Sequence, residues 1–212
     1  MKQQKQIFKK QSFLKSNFFL LLTAAAVIVI LTLTFIYKKK SFAQTNYNYG
    51  NDPILLRYSG GAVTLPYAAD KPSHNTPVKA IFSILNIPPN PNLIPPGLRL
   101  VAHIVDLYRV AGVNPKDVHL DVVFHGNGTP AAFDNQAYSH HLSKPDLKVI
   151  RNPDIPLIQE LQKDGVKMFV CGQAMRVLHY KRKDILPGIK EVYSGLTFII
   201  NRQNHHYAYF EL

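Results

Sequence analysis

The chain has one cysteine, Cys171, and no tryptophan in 212 residues. A single thiol cannot close an internal disulfide, so the bridged small-domain architectures are excluded. Acidic residues are few, 13 against 25 lysines and arginines, for a formal net charge of +12. Such a balance suits a nucleic-acid binder only if it is spread over the folded part, and it is not. Residues 1–40 hold eight lysines and no acid, leaving 17 basic residues against 13 acidic ones elsewhere. That remainder is too mild to grip a phosphate backbone, so no nucleic-acid partner is expected. Signature motifs are missing as well. There is no GxxxxGK and no GxGxxG, which removes the common nucleotide-binding loops, and no Gly-x-Ser-x-Gly elbow. The adjacent pairs His140-His141 and His205-His206 come without a Cys-x-x-Cys or His-x-x-x-His spacing. No metal and no cofactor is expected from such a pattern.

What the chain does contain begins with twenty uncharged residues, Phe18 to Tyr37. At about 1.5 Å per residue, a helix of that length crosses the hydrocarbon core of a bilayer. Five lysines precede the run and three follow it. The bias predicts a basic cytoplasmic segment over 1–17, a transmembrane anchor or uncleaved signal over 18–37, and a domain on the extracytoplasmic, periplasmic side. The membrane is then a partner through residues 18–37. A cleaved signal usually has a shorter apolar stretch, about 7–15 residues. Ser41-Phe42-Ala43 nevertheless offers small residues where a signal peptidase reads, so release to the periplasm after cleavage near Ala43 is the alternative.

Residues 38–77 are rich in Asn, Tyr, Gly and Pro and read as a tether with a lead-in hairpin, "PILLRY" and "AVTLPY" flanking Gly60-Gly61. From 78 to 212 the pattern alternates. "VKAIFSIL", "DVHLDVVFHG" and "VKMFVC" are compact apolar runs rich in β-formers. Residues 97–111 place Leu100, Val101, Ile104, Val105 and Tyr108 on one helical stripe, and 153–164 open with Pro and Asp and stop at Gly165. A helical segment of about 15 residues should follow Cys171 and end near Pro187-Gly188. "IKEVYSGL" reads as a short strand or an exit loop, "TFIINRQNHH" as a helix and "YAYFEL" as the last strand. Such alternation predicts one α/β domain of about five mainly parallel strands with helices on both faces.

In parallel sheets, reacting groups gather where strands end and helices begin. Cys171 closes the third apolar run, and Gly172-Gln173 turn into the next helix, so exposed backbone N–H groups there would favour the thiolate. "FHGNG" ends another strand and puts His125 at the same edge, where an imidazole could serve the thiol as base or counter-ion. Cys171 and His125 are the catalytic candidates. Gly126, Gly172 and Gln173 are the candidate anion- or thiolate-stabilising loop. Against each stands a plainer role, Cys171 as a packing residue and His125 as a loop hydrogen-bonder.

Residues 53–212 resemble the DsrE/DsrF-like family in its exported, single-domain form. The most specific block is "RNPDIPLIQELQKDGVKMFVCGQAM", supported by "VKAIFSI", "DVHLDVVFHG" and "DILPGIKEVYSGLTFII". The resemblance implies a five-stranded, mainly parallel sheet and assembly as a homo-oligomer, a trimer or hexamer. It also implies sulfur relay, in which a cysteine after the third strand carries a persulfide between a sulfur donor and an acceptor protein. Cys171 occupies that position. The readings that follow are a sulfur carrier working through Cys171, or a ligand-binding or assembly module with a structural cysteine. An intermolecular disulfide ranks behind both.

Overall fold

The structure, a computed structural model, describes residues 53–212. The basic segment, the 18–37 anchor and the cleavage position near Ala43 lie outside the described residues, as does residue 38–52 of the tether. No described helix is long and apolar enough to cross a membrane.

Five strands form a single sheet: β1 Val78–Ile84, β2 Val118–Phe124, β3 Lys167–Cys171, β4 Ile189–Val192 and β5 Ala208–Glu211. Their order is β4-β3-β2-β1-β5 and every pairing is parallel. From β1 to β4 each strand is laid beside its predecessor in one direction. The handedness of parallel crossovers then puts the intervening helices on one face. The last crossover runs back across the whole sheet to set β5 beside β1, and so its helix covers the opposite face.

On the first face lie α1 (Pro53–Ser59), α2 (Pro96–Val110) and α4 (Ile155–Lys163). Phe82 and Ile84 of β1, Val122 and Phe124 of β2 and Val170 of β3 pack there against Leu98 and Val101 of α2 and Leu157 and Leu161 of α4. Each such side chain contributes about 1.5–3 kcal/mol by leaving water. The opposite face has a smaller cluster, Ile81, Val123 and Phe169 against Ile199 of α6 (Gly195–Asn204). Strand alternation allots the odd and even positions to the two faces. Arg202 of α6 donates to Asp121, which is buried in β2, and its guanidinium lies over the rings of Phe198 and Tyr207.

Local chemistry sets the ends of α4. Pro156 falls in its first turn, and Gly165 adopts φ +86° just beyond it, a left-handed residue that lets Val166 N–H reach back to the Leu161 carbonyl at 2.9 Å. Arg109 of α2 holds Asp164 at 2.7 Å and ties the two helices together.

Two expectations need correction. The lead-in hairpin does not form: "PILLRY" is helix α1, and "AVTLPY" is irregular. Leu55 is fully buried in the main core, held there by the helix. The helix after Cys171 is short, α5 (Gly172–Val177). His179 turns to φ 59° and Tyr180 swings inward to stack on Phe133 at 4.2 Å, so burial of one ring stops the helix. A helix went unread, α3 (Asn135–Leu142), capped by Asp134, whose carboxylate accepts from Ala137 N–H at 2.8 Å. "IKEVYSGL" supplies strand β4 as well as the start of α6.

Candidate functional site

The strand ends bring the singled-out residues to one edge of the sheet. Cys171 is the last residue of β3 and caps α5: Ala174 N–H donates to its Sγ at 3.4 Å. The donor is thus Ala174, one residue beyond the Gly172-Gln173 pair. Cys171 is only 6% exposed. His125 follows β2 directly and is buried too.

Gly195, the first residue of α6, joins the two. A Cβ built there would come to 2.9 Å from the Cβ of His125 and 3.5 Å from that of Cys171. Both side chains therefore lie against one point on the α6 side of the sheet, and the backbone of Gly195 fills the space beside them. Any side chain at 195 would push against the imidazole. The sequence gives a weak signal for this: a glycine at the start of a helix that follows a short strand.

Two more residues complete the cluster, and both escaped the sequence reading. Ser83, fully buried in β1, places its Oγ 2.5 Å from His125 Nε2, in a hydrogen bond whose direction depends on the ring tautomer. Glu211 of β5 stands opposite Ser83 in the strand register and accepts from the Tyr209 hydroxyl at 2.9 Å. Ser83 could have been noticed as the one polar residue in "AIFSIL", a place where a buried hydroxyl must find a partner. Glu211 is a long-range neighbour that only the order β1-β5 supplies. Burial pushes His125 below the ordinary histidine value, and the nearby Glu211 charge opposes that shift. The net direction favours the neutral ring, the form able to take a proton.

The candidate loop residues take distinct places. Gly172 lies close against β4, where a Cβ would meet Glu191 Oε1 at 2.8 Å and the Val192 carbonyl at 3.0 Å. Gln173 donates from its side chain to the Tyr193 carbonyl at 3.3 Å, fixing the turn that leads into α6. Gly126 turns toward Leu85, and Gly128 packs on the Ile84 carbonyl. The glycines of "FHGNG" thus bring backbone against the end of β1. The paired histidines stand apart: His141 of α3 packs on Tyr180 at 4.0 Å, while His205-His206 close α6 at its far end from Gly195. Among the described residues, no three His, Cys, Asp or Glu side chains are grouped as metal ligands would be.

Chemically, the cluster offers a sulfur nucleophile with one backbone donor, an imidazole near it that burial keeps toward the neutral form, and a buried Ser83 hydroxyl that holds the ring, with the Glu211 charge nearby. No curated protein matches the chain. A solved structure, that of the protein of unknown function MTH1491 from Methanobacterium thermoautotrophicum, is similar at 21% identity with a TM-score of 0.46. The similarity covers 64% of this chain and 99% of that one. The family model of the DsrE/DsrF-like family matches residues 97–212, a stretch that holds His125, Cys171 and Gly195, and over more than half its length the chain therefore belongs to that family.

Proposed function

We propose that this protein handles sulfane sulfur, with Cys171 as the carrier. The observation that supports this most is the meeting of Cys171 and His125 about Gly195 at the carboxyl ends of the strands. Sulfur relay is linked to the family, and a relay thiol needs a nucleophile, a donor for the anion and a means of moving one proton. In the proposed step His125 takes the thiol proton. The Cys171 thiolate then attacks the terminal sulfur of a donor persulfide, R–S–SH. A new S–S bond forms at Cys171, the donor's S–S bond breaks, and R–S⁻ leaves and takes the proton from His125. The product is Cys171–S–SH plus R–SH, with no outside oxidant or reductant. Ala174 N–H supports the sulfur before and after attack.

The proposal includes a setting: an exported domain tethered through residues 18–37 and assembled as a homo-oligomer, exchanging sulfur with a donor or acceptor protein. A second reading has one observation in its favour, the 6% exposure of Cys171, which suits a packing residue in a binding or assembly module. Intact mass after exposure to polysulfide separates the two. The proposal expects a reducible gain of one sulfur atom that a Cys171→Ser variant lacks. An unchanged mass in the wild type would leave the module.

A further inference from the structure

A separate cavity lies on the other face of the sheet, away from the thiol. Its volume is about 720 Å³, inside the span of about 300–1,000 Å³ common for small-ligand sites. The floor is sheet: Val78 and Phe82 of β1, Leu120 of β2 and Phe210 of β5. Ile104 and Leu107 of α2 form one wall, and Val63, Leu65 and Pro66 of the loop after α1 form the roof. The topology explains why the floor is open. Strand β5 is added at the edge beyond the reach of α2, so Phe210 stacks on Phe82 at 5.3 Å yet stays 44% exposed. Leu65 and Leu107 are left 58% and 41% exposed at the rim. Three large apolar side chains around one recess form a surface that favours a covering ligand.

The charged side chains of the lining, Asp70 and Lys71, sit with His74 on one stretch of the roof, and Thr64 and Tyr108 add polar atoms elsewhere. The Lys71 ammonium donates to the Pro66 carbonyl at 2.5 Å, which sets a cation at the rim of a mostly apolar recess, next in the chain to Asp70. Apolar walls with a cation at one edge match a molecule with a carbon chain and an anionic end. We propose that this cavity binds a single-chain amphiphile, its chain along Leu65, Leu107 and Phe210 and its anionic end against Lys71. The site is independent of the persulfide reading, since Phe82 and Ser83 face opposite sides of the sheet.

The test uses the full chain in its membrane and a dodecanoate carrying a photoreactive diazirine, with the labelled peptides mapped by mass spectrometry. Labelling is expected in residues 63–74 and 104–111, competed by plain dodecanoate. It should fall at least tenfold in Leu107→Glu and in Leu65→Glu, which place a charge on the path of the chain. Both positions are partly exposed, so folding is retained and thermal unfolding serves as the check. Lys71→Gln should weaken labelling by the dodecanoate probe several-fold and leave the matching dodecanol probe unchanged. Labelling confined to residues 18–37, or cavity labelling indifferent to the Leu107 and Leu65 variants, would overturn the proposal. Equal labelling by both probes in the wild type would overturn the anionic end. Cross-links joining two copies through Leu107, with no probe uptake, would assign the recess to self-association and also overturn it.

Discussion

At the scale of single residues, the site depends on a glycine more than on any charged group. Gly195 lets α6 begin against both His125 and Cys171. A methyl group there would have to displace the imidazole, which is held by its hydrogen bond to Ser83. Gly195→Ala is expected to lower stability by about 1–3 kcal/mol in urea unfolding, and to slow sulfur loading by more than the stability loss explains. His125→Ala leaves the fold and removes the proton acceptor. It should slow loading of Cys171 about a hundredfold, the scale of general-base effects, measured as the rate of persulfide formation by mass. Cys171 and His125 were legible in the sequence because each ends an apolar run before a glycine. Ser83 and Glu211 were not, because the partner of Ser83 lies 42 positions away and Glu211, in the last strand, stands opposite a residue of the first.

At the scale of elements, helices with strong apolar periodicity were legible and weak ones were not. Residues 97–111 and 153–164 carry continuous stripes, and α2 and α4 stand there. Helix α3 has only Ala137 and Tyr138 buried and little periodicity to read. Helix α5 is cut short by the burial of Tyr180, a contact with Phe133 that no local pattern announces. The start of α4 holds a testable oddity. Asp154 is fully buried at its N-terminal cap with neither carboxylate oxygen hydrogen-bonded, and burial pushes its carboxyl up to about 8 from the ordinary 3.8. Between those values the native chain holds a proton that the unfolded chain has released. Stability therefore falls as pH rises through this window and levels off above about 8. Asp154→Asn should remove that slope, so its advantage over the wild type grows with pH. Urea midpoints at about pH 5 and about pH 8.5 check it; an advantage that is the same at both would contradict it.

At the scale of the molecule, the returning crossover is what makes the site. Had β5 been laid beyond β4, α6 would lie on the crowded face and Gly195 could not meet His125. Alternating strands and helices made a parallel sheet legible, but not this order, because strand adjacency is decided by contacts far apart in the chain. Helix α6 is fastened by the Arg202–Asp121 pair, whose carboxylate is buried. Arg202→Ala leaves that charge without its partner and should cost about 3 kcal/mol, read by urea unfolding. It should also slow sulfur loading at the distant Cys171, because the position of Gly195 depends on how α6 is seated.

The most direct measurement is the number of sulfane sulfur atoms on the Cys171 peptide after brief polysulfide treatment, in the folded protein and in urea. A carrier thiol predicts close to one sulfur per chain in the folded state, formed faster than in the unfolded chain and lost on reduction. A folded protein that stays unlabelled while its unfolded chain takes up sulfur would contradict it and make Cys171 a packing residue.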